Sequence, residues 1–250
     1  MSQAAPGDQI ASRDLAPGIR VAITGRAGGV SRPPYDTLNL GRSVGDDAAA
    51  VARNRDLLAG SCGVRASRIT WMRQVHGTDV TRVTAPVNGE HPECDAVYTA
   101  TPGLPLAVLA ADCAPVLLAD PDAGLIGAAH AGRAGMEAGV VPALIREMTA
   151  AGAEPGRMLA LIGPAVCGGC YDVPEELRAR VSAAVPHASC VTRRGLPGLD
   201  ITAGITAQLG AAGIAGVQRD GRCTAEAPEL YSHRRDRLTG RFAALVWIEQ

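Results

Sequence analysis

Apolar positions along this chain follow two rhythms. Ile19–Thr24 near one end, Phe242–Ile248 at the other, and Ala96–Thr99, Leu106–Ala110, Val116–Ala119, Leu125–Ala129 and Leu159–Ile162 between them are short apolar runs bounded by Gly, Pro or Asp. Runs of this length predict strands, and the unbroken ones suit strands buried on both faces. Ile69–Gln74 and Asp79–Thr84 read as two more, with a polar break between them. The second rhythm is helical and covers Asp46–Gly60, Met136–Ala151, Pro174–Val185 and Ile201–Ala212. Asp46 and Asp47 mark the start of the first helix and Gly60 its end. Gly25-Arg-Ala-Gly-Gly-Val-Ser31 is a turn, and Ala85–Cys94 is a polar loop. Residues 1–17, polar with Pro and Gly, predict a disordered tail. No fixed-period repeat or low-complexity linker divides the rest, so residues 18–250 predict one mixed α/β domain.

Composition narrows the chemistry. With 250 residues, 47% of them hydrophobic, the chain can bury a substantial core. One Phe, two Trp and four Tyr leave that core to Ala, Val, Leu and Ile. All 24 basic residues are Arg, which excludes a Schiff-base lysine and a P-loop lysine. A net charge of −1 gives no reason to expect a nucleic-acid or membrane partner. The longest apolar stretch, Leu104–Ala119, is broken by Asp112 and two prolines and is shorter than the ~20 residues a bilayer requires. Seven cysteines, with no secretory leader in Met1–Gly18, predict a reducing cytoplasm and free or metal-bound thiols.

The strongest candidate site is a trio at the edges of strand-like runs: His76, Cys113 and His130. Two imidazoles and a thiolate suit Zn²⁺, and three protein ligands leave a fourth position open, as in catalytic sites. Each residue also has an ordinary reading: a loop histidine, a small buried thiol and a histidine capping a tight turn. No two of them form an i, i+4 or Cys-x-x-Cys pair. What unites them is their place at strand ends, where α/β sheets build sites. Asp112, a carboxylate ending an apolar strand, needs a partner and could orient a ligand. After His130, a small-residue turn leads into a helix, and Arg133 could clamp an anion there. Arg26, Gly28, Gly29 and Ser31 form a basic loop that either wraps an anion through its amides or is a plain turn. Ser232-His-Arg-Arg-Asp236 is either a structural ion-pair cluster or a face for an anionic substrate.

Two motifs are weaker. Cys167-Gly-Gly-Cys170 would need a second such pair for a zinc ribbon, and the sequence holds none. A redox reading keeps some support, because a strand precedes it. His91-Pro-Glu93 with Cys167 and Cys170 mimics a zinc deaminase pattern, but the spacing is wrong and Pro164 does not directly precede Cys167.

A set of motifs in order carries a resemblance: Asn39-Leu-Gly-Arg-Ser-Val-Gly-Asp-Asp47, Gln74-Val-His-Gly77, Ala111-Asp-Cys-Ala-Pro-Val116, His130-Ala-Gly132, Ile162-Gly-Pro164 with Cys170-Tyr171, and Ser232-His-Arg-Arg-Asp-Arg-Leu-Thr-Gly-Arg241. From about Ile19 to Ile248 the chain resembles the bacterial multicopper polyphenol oxidase (laccase-like) family, also described as YfiH-like purine nucleoside phosphorylases. The resemblance implies a single domain of mixed sheets surrounded by helices. It implies one Zn²⁺ held by His76, Cys113 and His130, with Cu²⁺ as an alternative occupant, since copper outcompetes zinc at N/S sites. Asn39 and Gln74 join Arg26, Gly29, Ser31, Asp112 and Arg133 as candidate substrate contacts. The implied activity is phosphorolysis of adenosine, inosine and methylthioadenosine, with adenosine deamination. The implied partners are nucleosides and phosphate, and the sequence leaves the oligomeric state open between a monomer and a weak dimer. Other descriptions of the family give copper-dependent phenol oxidation or editing of peptidoglycan precursors. Five histidines, with no His-x-His pair, are too few for a laccase's coupled copper centres. A non-enzymatic metal module would leave the open position without a purpose. One departure stands out. The family usually reads His-Ala-Gly-Trp-Arg-Gly, and here Arg133 and Ala134 replace the Trp-Arg pair.

Overall fold

Side chains along the central strands alternate between two faces, and each face has its own partner. The computed structural model describes residues 10–250 except Asn88 and Ala215. In chain order its strands are β1 (Ser12–Ala16), β2 (Ile19–Ile23), β3 (Val80–Arg82), β4 (Ala96–Thr99), β5 (Leu106–Ala110), β6 (Ala114–Asp120), β7 (Leu125–Ala131), β8 (Leu159–Ile162), β9 (Ser189–Val191), β10 (Pro197–Leu199), β11 (Gly216–Arg219) and β12 (Phe242–Ile248). Its helices are α1 (Ala48–Ser61), α2 (Arg133–Ala138), α3 (Val140–Ala150), α4 (Glu175–Ala184), α5 (Ile201–Ala211) and α6 (His233–Asp236).

Two sheets dominate. The first has the order β1-β2-β12-β5 and is antiparallel throughout. The second has the order β11-β8-β6-β7-β4-β3 and is mixed, with parallel pairs at its two edges. β9 and β10 form a separate ribbon. Val21, Val108 and Val246 of the first sheet pack against Leu117, Ile126 and Leu161 of the second in one buried cluster. The residues one step along, Val116, Leu118 and Ala129, face α3 and α5 through Leu144, Met148 and Ile205. Ala22, Ala107 and Leu245, on the outer face of the first sheet, pack on Leu58 of α1 and on Trp71. The result is four layers, helix–sheet–sheet–helix, with both sheets buried on two sides, as the unbroken apolar runs require.

Three expectations need correction. Residues 10–16 are not a tail: β1 pairs with β2, and Ile10, Leu15 and Ala16 are buried. The polar Arg13 and Asp14 point outward and disguise the strand; residues 1–9 lie outside the described residues. Ile69–Gln74 is not a strand but makes only isolated bridges, Thr70 with Leu106 and Arg73 with Glu93. Here the Gln74 amide replaces a backbone rung, donating to Leu109 O (2.8 Å) and accepting from Leu109 N (2.9 Å). The helix expected over Met136–Ala151 begins at Arg133 and breaks at Gly139, whose left-handed φ of 88° closes α2 and opens α3. No described helix is long and apolar enough to cross a membrane.

Candidate metal centre

The link from β5 to β6 carries the chain from the first sheet to the second in three residues, Ala111 to Cys113. Asp112 turns that corner with a left-handed φ of 92°. His130 lies one residue from the end of β7, paired with Pro115. His76 follows the Gln74 clasp with a φ of 62°. Left-handed backbone at a non-glycine residue costs about 1–2 kcal/mol, and such strain gathers at functional sites. The outcome is convergence. One donor atom from each of His76, Cys113 and His130 lies within 4.8 Å of the others, and Cys113 Sγ is 3.9 Å from His76 Nε2.

Asp95, which sequence reasoning missed, organises the trio. Its fully buried carboxylate accepts the His130 Nδ1 proton at 2.8 Å, which leaves Nε2 as the free donor atom of that ring. The other carboxylate oxygen accepts Val75 N (3.0 Å) and Gly77 N (2.7 Å), the two amides flanking His76. A single side chain thus sets the orientation of one imidazole and the backbone that presents the other. Burial works against ionisation of Asp95, yet the bonds from His130, Gly77 and Val75 hold its carboxyl below the usual range. The signal that could have found it is the one that flagged Asp112: a carboxylate abutting an apolar strand.

The donor set fits a zinc-like cation. A Cβ on Gly132 would come within 2.8 Å of Cys113 Sγ and 3.1 Å of His76 Cδ2. Only glycine leaves that cradle open. Burial alone would push the Cys113 thiol up, but His130 and His76 override it and bring it down to about 6. Burial likewise disfavours a charged His130, and the Cys113 sulfur and Asp95 outweigh it, lifting the ring to about 9. Each group thus favours the charged form of the other, and a cation would take the place of the imidazolium proton.

The trio lines a cleft of about 620 Å³. Six arginines line it as well: Arg42, Arg73, Arg133, Arg234, Arg237 and Arg241. Asp112 is the only acid on the lining, and its carboxylate is fully engaged by Thr224 Oγ1 (2.7 Å), Ser232 Oγ (2.6 Å) and Arg234 N (2.6 Å). It therefore positions α6 rather than turning a free oxygen to a ligand. Gln74 lines the cleft with its amide spent on Leu109, and Arg133 lines it while paired with Glu137 at 2.9 Å. Apolar surface comes from Met72, Leu109, Val166 and Ile201, and Tyr171 carries Arg234 over its ring at 4.7 Å.

Four expected substrate contacts are not on the cleft lining: Arg26, Gly29, Ser31 and Asn39. Arg26 pairs with Asp36 at 3.2 Å and sits over Tyr231. Gly29 N bonds Thr37 Oγ1 at 3.1 Å, and Ser31 and Asn39 both donate to Asp46 Oδ2, at 2.6 and 2.8 Å. The loop that read as an anion wrap is filled by its own polar groups. It supports the cleft indirectly, because Asn39 Oδ1 accepts Gly41 N (2.9 Å) and Arg241 N (2.8 Å), two residues that do line it. His91, the deaminase decoy, lines a different pocket with Arg55 and Trp71.

A sequence profile described as multi-copper polyphenol oxidoreductase laccase matches residues 20–249. The chain belongs to that family. A relative in Streptomyces coelicolor named purine nucleoside phosphorylase is 53% identical over 241 residues, covering 96% of this chain and 100% of the relative. One of the same name in Mycobacterium tuberculosis is 51% identical over 231 residues, 92% of each chain. Among solved structures, YlmD from Geobacillus stearothermophilus superposes with a TM-score of 0.89 at 32% identity, covering 95% of this chain and 94% of that one. Within this laccase-like family the Trp-to-Arg departure at Arg133 acquires a setting. Its guanidinium shares Glu137 with Arg180, whose Nε lies 3.0 Å from the same carboxylate, so part of its charge is already balanced.

Proposed function

We propose that this family member is a zinc-dependent purine nucleoside phosphorylase that also deaminates adenosine. One observation carries the reading: the His76–Cys113–His130 trio and six arginines share one cleft whose only acid is already engaged. A cleft of about 620 Å³ falls within the range of small-molecule sites, and its mix of apolar and cationic lining suits a substrate with a purine at one end and phosphate at the other. The names of the relatives point the same way.

In phosphorolysis a phosphate oxygen bonds C1′ as the C1′–N9 bond breaks. The purine leaves with a proton, and the products are free base and ribose 1-phosphate. His76, Cys113 and His130 would hold the ion, which when bound supplies Lewis-acid polarisation. Asp95 keeps the Nδ1 proton on His130 so that Nε2 stays a donor to the metal. The arginines hold phosphate, and Arg42 and Arg237 are the freest of them: Arg73, Arg133 and Arg234 pair with acids, and the Arg241 guanidinium donates to Thr239 O and Gly240 O. Met72, Leu109, Val166 and Ile201 exclude water from the base. The seven free thiols suit a reducing cytoplasm, and the identity of the ion as zinc rests on the N₂S donor set.

A laccase mechanism is not favoured: among the described residues His91, His187 and His233 join neither cluster of metal-ligating side chains. The decisive assay uses purified protein of measured zinc and copper content and supplies adenosine with and without phosphate. Phosphate-dependent adenine and ribose 1-phosphate support phosphorolysis, and inosine supports deamination. Copper-dependent turnover of phenols, with nucleosides untouched, would overturn the reading.

A further inference from the structure

A second group of metal-ligating side chains lies outside the trio: Cys167, Cys170, Cys223 and Glu226, each offering one donor atom within 4.8 Å of the others. We propose that these four residues form a separate, closed cation site that takes a structural Zn²⁺.

Chain geometry supports this. Cys167-Gly-Gly-Cys170 is a tight turn in which Cys170 N bonds Cys167 O at 2.9 Å. Cys223-Thr-Ala-Glu226 is a turn of the same length, in which Glu226 N bonds Cys223 O at 3.0 Å. The two turns face each other. Ala165 and Cys223 form a parallel bridge, and Thr224 N bonds Ala165 O at 3.1 Å. A zinc ribbon needs two x₂ pairs, and the missing second pair is Cys-x-x-Glu, invisible to a search for cysteines alone.

Donor distances suit the ion. Tetrahedral zinc with Zn–S of about 2.3 Å places sulfurs about 3.8 Å apart, and a carboxylate oxygen somewhat closer. Cys170 Sγ stands 3.4 Å from Glu226 Oε1. Cys167 N donates to Cys223 Sγ at 3.4 Å, a bond that stabilises a thiolate. Three thiolates and a carboxylate over-neutralise a divalent ion, and Arg193, which contacts both Glu226 and Cys170, offsets part of the excess. Four protein donors leave no open position, which makes the site structural rather than catalytic.

Its location gives the ion a task. Val166 N, next to Cys167, bonds Asp112 O at 3.0 Å, and Thr224 Oγ1, next to Cys223, bonds the Asp112 carboxylate at 2.7 Å. A zinc ion bridging the two turns would fix both segments that grip Asp112, the residue immediately before Cys113.

The experiment is elemental analysis of the full chain, expressed with zinc and purified under reductant without chelator. Wild type is expected to hold two Zn²⁺ per chain. Cys113→Ser should fall to one, Cys223→Ser and Cys167→Ser should fall to one, and Cys190→Ser, whose thiol lies outside the four, should keep two. If the Cys223 and Cys167 variants do not fold, Co²⁺ loaded into Cys113→Ser decides: the proposal requires intense cobalt–thiolate charge-transfer bands in that variant. A single Zn²⁺ in wild type that Cys113→Ser abolishes, a cobalt spectrum without thiolate bands, or a native thiol count placing Cys167, Cys170 or Cys223 in a disulfide would each overturn it. Glu226→Gln should surrender its ion to a competing chelator faster than wild type, and equal rates would remove the carboxylate from the set.

Discussion

Two clusters of sulfur and nitrogen or oxygen donors meet at Asp112, and they are built on opposite plans. The trio of His76, Cys113 and His130 opens on the cleft, with donors drawn from three distant stretches of chain and oriented by the buried Asp95. The tetrad of Cys167, Cys170, Cys223 and Glu226 uses two local turns and closes on itself. Their thiols differ accordingly. Cys113, despite burial, is drawn down to about 6 by two imidazoles, whereas burial and the neighbouring thiols Cys167 and Cys223 push Cys170 up to about 11. Mixed imidazole–thiolate donors with an imposed orientation make a site ready for chemistry. A cluster of thiols is costly to charge until a cation arrives, which ties it to folding instead.

The comparison breaks most cleanly at Cys113. Cys113→Ser removes one donor of the open site and should cut nucleoside turnover on the order of 10³-fold, several kcal/mol of lost transition-state stabilisation. The closed site's ion should stay, and the melting temperature should fall only by the stabilisation that the lost open-site ion supplied. If turnover survives, the open site is not where the chemistry happens. Next in size is Asp95→Asn. An amide cannot accept the His130 proton and both flanking amides equally, so metal affinity at the open site should fall about 10–100-fold. Competition with a chelator measures this, and the closed site is the internal control. Unchanged affinity would show that His130 is held by its strand alone.

How much of this is legible in the residues follows from what each signal measures. Unbroken apolar runs report burial on two faces, and so β4 to β8 and β12 are found from pattern. β9 and β11 are short and partly exposed, β10 is only three residues long and holds Pro and Gly, and β1 hides two buried residues behind Arg13 and Asp14. Convergence of His76, Cys113 and His130 is legible only as a shared position at strand ends. Asp95 is lost because its partners, His130 and two backbone amides, are remote in sequence or carry no side-chain signal. The Arg26–Ser31 loop misleads for a physical reason: a Gly-rich polar loop has the same composition whether its amides bind an anion or its own neighbours. Glu226 is overlooked because a carboxylate completing a thiolate set has no pattern of its own.

Asp112→Asn tests the joint between the two sites. Its carboxylate takes three donors, and the amide offers one oxygen and a competing N–H₂. Leaving a buried donor unsatisfied costs about 1–3 kcal/mol, so the melting temperature should drop roughly 2–12 °C at ~2–4 °C per kcal/mol. Calorimetry of the zinc-loaded protein measures the change. A drop confined to stability would make Asp112 a strut for α6. A simultaneous loss of ion from the open site would show that the segments gripping Asp112 set the position of Cys113.

The most local effect should come from the cleft wall. Arg237 lines it, with no acidic partner among the described residues, and its carbonyl anchors His233 Nδ1 at 2.6 Å. A substitution of its side chain leaves that backbone bond in place, so Arg237→Gln isolates the guanidinium. If this arginine contacts phosphate, the variant forfeits one charge-assisted bond, about 1.5–3 kcal/mol. The KM for phosphate should then rise about tenfold or more, with kcat, zinc content and the KM for adenosine little changed. Arg133→Gln serves as the contrast: its charge is shared with Glu137, so the phosphate KM should respond less. A larger effect at Arg133 than at Arg237 would reverse the assignment. Phosphate would then sit beside the turn after His130, and Arg42 and Arg237 would be left to the base or to solvent.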